Sequence, residues 1–96
     1  MVVVIFRATL AKPDEEYFVT AQRLRELAFA EFGCLDFVSF NEADREIAVS
    51  YWPSAEAVRA WRDHPEHQAA QRLGSSRWYR DWQIEVATVT RQSRHP

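Results

Sequence analysis

His64 and His67 stand three residues apart in the run His64-Pro65-Glu66-His67. On a helix that spacing puts both imidazoles on one face, where they could act as a base pair or begin a metal site. A zinc site needs three or four ligands, and neither Cys34 nor any acid stands at a spacing that completes one, so no metal is expected. The ordinary role for such residues is to cap and pack the start of a helix; the chemical alternative is a general base. Trp52, Trp61, Trp78 and Trp82, with Tyr51 and Tyr79, concentrate aromatic area in a short segment. Core packing accounts for much of it, but rings that faced a cavity would stack on a flat aromatic ligand, and Trp52, Trp61 and Trp78 are the candidates. Arg7 is a charge among apolar neighbours, on the strand face of Val3, Ile5 and Thr9. It should pair with Glu46 or Glu85, or meet a substrate oxyanion. Cys34 is alone, so no internal disulfide can form, and a buried structural thiol is the simpler reading than a nucleophile.

These residues need elements to hold them. Val2 to Phe6 is β-branched and aromatic, continues to Leu10 and stops before Pro13, which predicts a strand. From Asp14 the period becomes helical through Tyr17, Ala21, Leu24 and Ala28, with acids at 14 to 16 suiting the positive end and Gly33 placed as terminator. Cys34 to Asn41 and Glu46 to Trp52 read as two strands joined by the polar turn 42–45. Ser54 is the N-cap of a helix carrying Ala57, Val58 and Trp61; Pro65 opens a second helical segment that Gly74 should end. Residues 75–77 are expected to be a loop. The last strand runs from Tyr79 or Trp82 to Val89, and 91–96 is a polar tail.

The order strand, helix, strand, strand, broken helix, strand is the ferredoxin-like βαββαβ arrangement, an α+β sandwich with helices on one face of a four-stranded antiparallel sheet. With 96 residues, 1–96 is a single domain. Both faces of the first and second strands are apolar, while short helices can cover only one, so a homodimer packed sheet to sheet is expected. Twelve basic against fourteen acidic residues, interspersed, give no footprint for nucleic acid. No stretch approaches the ~18 apolar residues of a membrane span. The apolar start lacks the basic region of a signal peptide, so a cytoplasmic location is the default expectation.

Ala48-Val49-Ser50-Tyr51-Trp52, followed by Ser54-Ala55-Glu56-Ala57-Val58-Arg59-Ala60-Trp61 and by His64-Pro65-Glu66-His67 with Ala69-Ala70, resembles the antibiotic biosynthesis monooxygenase domain across nearly the whole chain. The resemblance implies a dimeric α+β barrel with a cavity between sheet and helices in each subunit, Trp61 and Trp78 lying near its mouth. In the family's polyketide-type oxygenases an Asn stands four residues before the strand-end Trp and a Tyr six after it. Here Trp52 is kept, but Ala48 and Val58 occupy the other two places. In the haem-degrading branch an early-strand Asn, a helix Trp and a His ten residues later form the pattern. Trp61 matches, whereas Gln71 falls at the axial His and Phe6 and Arg7 occupy the region of the Asn. The resemblance therefore implies a monooxygenase without cofactor, joining molecular oxygen to a small aromatic such as a hydroquinone or anthrone, with His67 or His64 as base. The alternative is a non-catalytic dimer that binds an aromatic or haem-like ligand, and a haem-degrading enzyme comes third.

Overall fold

The structure is a computed structural model that describes residues 1–96. Strand β1 (Val2–Leu10) leads into helix α1 (Glu15–Glu31), then β2 (Asp36–Glu42), β3 (Arg45–Trp52), α2 (Ala55–Asp63), α3 (Pro65–Leu73), a five-residue π-helical turn (Gly74–Trp78) and β4 (Tyr79–Thr88). The four strands form one antiparallel sheet in the order β2-β3-β1-β4. This is the expected ferredoxin-like arrangement.

Local signals place the helix ends. The Asp14 carboxylate accepts the Tyr17 amide at 2.9 Å, satisfying one of the donors a helix start leaves free. Ser54 Oγ does the same for Ala57 at 3.2 Å. Gly33 follows α1 at φ 72°, a backbone conformation that favours glycine, and lets the Cys34 amide return to the Ala28 carbonyl at 3.1 Å. His64 separates α2 from α3: its extended backbone ends one helix, and its Nδ1 accepts the Glu66 amide at 3.1 Å to open the next.

Gly74 departs from expectation. It does not stop α3 but sits in right-handed helical conformation (φ −59°, ψ −50°), and the chain winds on through a wider turn to Trp78. Residues 75–77 are thus helical rather than a loop, and Trp78 is swung inward to burial.

Two clusters of buried side chains result. One joins Val4, Leu27, Ala28, Cys34, Trp52, Val58 and Trp61. The other joins Leu10, Tyr17 and Trp78, with Leu73 and Tyr79 packed against it. Between them, on the helix side of the sheet, lies a cavity of about 360 Å³. No helix is long and apolar enough to cross a membrane.

Candidate functional site

Strand register decides what faces the cavity. Val4 lies opposite Ser50 and Val86, and Phe6 opposite Ala48 and Ile84. Ser50 in turn pairs with Phe37, and Ala48 with Ser39. Since side chains alternate along a strand, Val4, Phe6, Phe37, Ser39, Glu46, Ala48, Ser50 and Ile84 make the floor. Tyr17, Ala21, Leu24 and Arg25 of α1, Trp61, and His67 and Ala70 of α3 make the walls, and Trp78 and Tyr79 close one end.

At the Trp52 end of the sheet the wall is built from stacked rings. Trp52, fully buried, holds its Nε1 on Ser50 Oγ at 2.8 Å and lies under Trp61, with ring centroids 5.0 Å apart. Trp61 donates its own Nε1 to the Leu24 carbonyl at 3.2 Å and meets His67 edge-on at 4.3 Å. His67 Nδ1 is buried without a hydrogen-bond partner. Burial is the main cause that pulls this imidazole below its usual range; its own main-chain carbonyl opposes part of the shift. The ring is therefore neutral at neutral pH.

Glu46 lies six residues from Trp52 on the same strand face, about 20 Å along β3 at the usual rise per residue. Its Oε1 accepts the Tyr17 hydroxyl and its Oε2 accepts the Tyr79 hydroxyl at 3.0 Å. Glu46 makes no salt bridge. Burial pushes its carboxyl above the usual range, with the Tyr79 hydrogen bond acting against that push. Tyr79 is raised too, first by burial and then by Glu46, so it stays a phenol that donates.

Asp14 anchors this corner. Besides capping α1 it accepts Trp78 Nε1 at 3.1 Å, and Arg77 bridges it to Glu16. Trp78 meets Tyr17 edge-on at 5.6 Å, and Tyr79 meets Phe6 likewise at 5.3 Å. A Cβ on Gly74 would stand 3.0 Å from Cδ2 of Tyr79, so the π-helical turn needs glycine there for close approach.

The residues singled out in the sequence divide three ways. Trp61, Trp78 and His67 meet on the cavity wall. Trp52 stands behind Trp61 and supports it without lining the cavity. His64 and Arg7 are elsewhere. His64 is spent on its cap and packs against Phe32 at 5.9 Å. Arg7 is exposed on the opposite sheet face, in register with Ile47 and Gln83, because alternation along β1 gives the cavity to Val4 and Phe6. Its suggested partner Glu46 points the other way, and Arg7 makes no ion pair. Glu46, Tyr17 and Tyr79 are the site residues that sequence reasoning missed. The available signal was Glu46 falling in phase with Ala48, Ser50 and Trp52 on the core side of its strand. Cys34 is buried, its Sγ near the carbonyls of Asp36 (3.3 Å) and Tyr51 (3.5 Å), and burial raises its thiol, which makes it unreactive. No three His, Cys, Asp or Glu side chains converge on a point that could hold a metal ion.

Comparison with known proteins fits this geometry. YqjZ of Bacillus subtilis (strain 168), an uncharacterized protein, is 46% identical over 90 residues, spanning 93% of this chain and 79% of YqjZ. Among solved structures, SnoaB, a cofactor-independent oxygenase from Streptomyces nogalater, superposes with a TM-score of 0.79 at 14% identity, covering 95% of this chain and 94% of SnoaB. Rv0793 from Mycobacterium tuberculosis gives 0.79 at 18% identity over 97% and 98% of the two chains. At those identities the likeness is one of fold. The family model for antibiotic biosynthesis monooxygenase matches residues 1–73, and with that match over most of its length the chain belongs to the antibiotic biosynthesis monooxygenase family.

Proposed function

We propose that the protein is a cofactor-independent monooxygenase that oxidises a small hydroxylated aromatic, of the hydroquinone or anthrone kind, with molecular oxygen. The observation that carries this reading is a cavity of about 360 Å³, walled largely by apolar and aromatic side chains, with the neutral imidazole of His67 on its wall. Such a cavity is at the small end of ligand pockets and suits a molecule of a few fused rings. His67 takes a proton from the bound aromatic, and the electron-rich anion reduces oxygen directly; a dry apolar wall protects that anion from water. For an anthrone, one oxygen atom becomes the new ring carbonyl, and the other leaves as water with the two hydrogens of the oxidised methylene. Trp61 and Trp78 orient the ring by stacking.

The working unit in this reading is a homodimer joined through the sheet face away from the helices. Phe40 is 69% exposed there, and Val38 and Ile47 are exposed beside it. A second reading, a binding protein without chemistry, draws on Ala48, whose methyl group on the cavity floor can move no proton. Haem degradation has less support: Gln71, on the cavity wall, is no imidazole, and the volume is small for a porphyrin. Oxygen consumption by the purified protein on a panel of hydroquinones and anthrones, without added cofactor and against a heat-denatured control, tests the proposal. Saturable uptake that falls at least tenfold in His67→Ala is the expected result. Uptake that ignores the substitution removes His67 as base, and no uptake across the panel moves the weight to the binding protein.

A further inference from the structure

We propose that Glu46, clamped between Tyr17 and Tyr79, is the seat for a ligand hydroxyl, so that the cavity selects aromatics that carry a phenolic hydrogen over the same rings without one. This deepens the reading above and rests on the same cavity being the ligand site.

The argument starts from what a buried carboxylate needs. Glu46 lies on the floor beside Ala48 and Phe6 and has no cation to offset its charge; its partners are two phenols, one on each oxygen. A carboxylate oxygen has two lone pairs, so each oxygen keeps one acceptor position after its tyrosine is served. Tyr17 and Tyr79 approach from the α1 side and from the start of β4, and both also line the cavity. They fix the carboxylate without covering the cavity side of it. A buried acceptor left short of donors costs free energy, and a ligand hydroxyl recovers it. A ligand carboxylate or phosphate at the same place would meet a like charge, so acidic aromatics are rejected by the same group.

The arrangement also handles a proton. When the hydroxyl hydrogen passes to Glu46, the O–H bond of the ligand breaks, its electron pair stays on the ring oxygen, and the new O–H bond lies on the carboxyl. Burial makes this carboxylate a stronger base than an exposed one. Tyr17 and Tyr79 are positioning residues in this scheme. His67, packed on Trp61 toward the Trp52 end of the floor, remains free for a second proton of the same molecule.

The experiment is calorimetric titration of the intact protein with 1-naphthol and with 1-methoxynaphthalene, which share a ring system and differ in the hydroxyl hydrogen. Wild type should bind 1-naphthol about tenfold more tightly, the effect of one hydrogen bond to a charged acceptor. In Glu46→Gln the preference should shrink to about twofold or less while 1-methoxynaphthalene binds as before, which also shows that the cavity is intact. If Glu46→Gln does not fold, the triple variant Y17F/E46L/Y79F leaves no polar group of the cluster unpaired and should show the same loss of preference. A preference that survives in a folded variant, equal binding of both compounds by wild type, or binding of neither overturns the proposal. Oxygen uptake measured on the same proteins separates the two readings. A Glu46-dependent preference without uptake keeps the hydroxyl seat and removes the oxygenase, whereas uptake that Glu46→Gln leaves unchanged does the reverse.

Discussion

Along β3 successive residues meet two different environments. Glu46, Ala48, Ser50 and Trp52 turn toward the helices, while Arg45, Ile47, Val49 and Tyr51 turn away from them. The inner face is interrupted: two buried clusters leave a cavity between them, and into it come a carboxylate, an imidazole and two phenols. The outer face is continuous and apolar from Val3 and Ile5 across Val49 and Ile47 to Val38 and Phe40, and no element of the chain covers it. A face with a gap and polar groups is built to hold a small molecule. A flat apolar face is built to meet another flat face. One sheet divides the two tasks by side-chain parity alone.

The largest expected effect breaks the comparison on the inner side. Trp61 is buried between Trp52, Phe37 and His67, so Trp61→Ala should cost about 3–5 kcal/mol in chemical denaturation. Equal losses from Trp61→Ala and from a substitution of the exposed Phe40 would mean that the two faces are not distinct in the monomer. Phe40→Glu should instead act on assembly. Wild type is expected at twice the 11.3 kDa chain mass in light scattering at micromolar concentration, and the variant at the chain mass, with naphthol binding kept. A wild-type monomer mass under those conditions sinks the dimer.

A middle-sized effect sharpens how the inner face is made. Gly74→Ala gains up to about 1 kcal/mol in helix propensity. Against that, the new methyl presses on the Tyr79 ring, which is itself wedged against Phe6 and cannot swing freely. Overpacking of this kind costs about 1–3 kcal/mol, so a net loss of roughly 1 kcal/mol is expected in urea denaturation. The preference for 1-naphthol should weaken with it, since Tyr79 holds Glu46. A stabilised variant with that preference intact would show that the π-helical turn does not position the cluster.

The architecture was legible because it depends on periods and caps that act locally. Alternation in Val2–Phe6 and Glu46–Trp52, the change of period at Asp14, and the signals at Gly33, Ser54 and Pro65 each act within a few residues. What escaped was non-local. Tyr17 and Tyr79 reach Glu46 from 29 and 33 residues away, and no spacing rule connects them. Alternation placed Arg7 with Val3 and Ile5, but parity does not say which parity the helices will cover. Gly74 was read as a terminator because glycine usually ends helices; here its lack of a side chain serves the neighbouring tyrosine instead. The histidine pair looked like one unit at a spacing of three, yet the Pro65 start assigns His64 to the cap and leaves His67 to the cavity.

The smallest effect concerns pH and separates the two titratable groups of the inner face. His67 titrates at about 6.5 in an unfolded chain and lower when folded, because burial disfavours its charged form. Above that value both states are neutral at this residue, and it adds no slope. As pH falls through it the unfolded chain takes up a proton that the folded chain refuses, so stability drops until the lower folded value is passed. Glu46 acts in the opposite sense. Its folded value is raised above 4.5, so as pH climbs through 4.5 the unfolded carboxyl ionises first and stability falls until the folded carboxyl ionises as well. The two slopes oppose each other in mildly acidic solution and partly cancel in the wild type. Single variants uncover them: relative to wild type, His67→Gln should hold its urea midpoint better between pH 7.5 and 5.5. Glu46→Gln should lose the decline on the alkaline side of pH 4.5. Curves for all three proteins that run parallel from pH 4.5 to 7.5 would mean that neither group is shielded from water, and a cavity wetted to that degree could not protect a reactive anion.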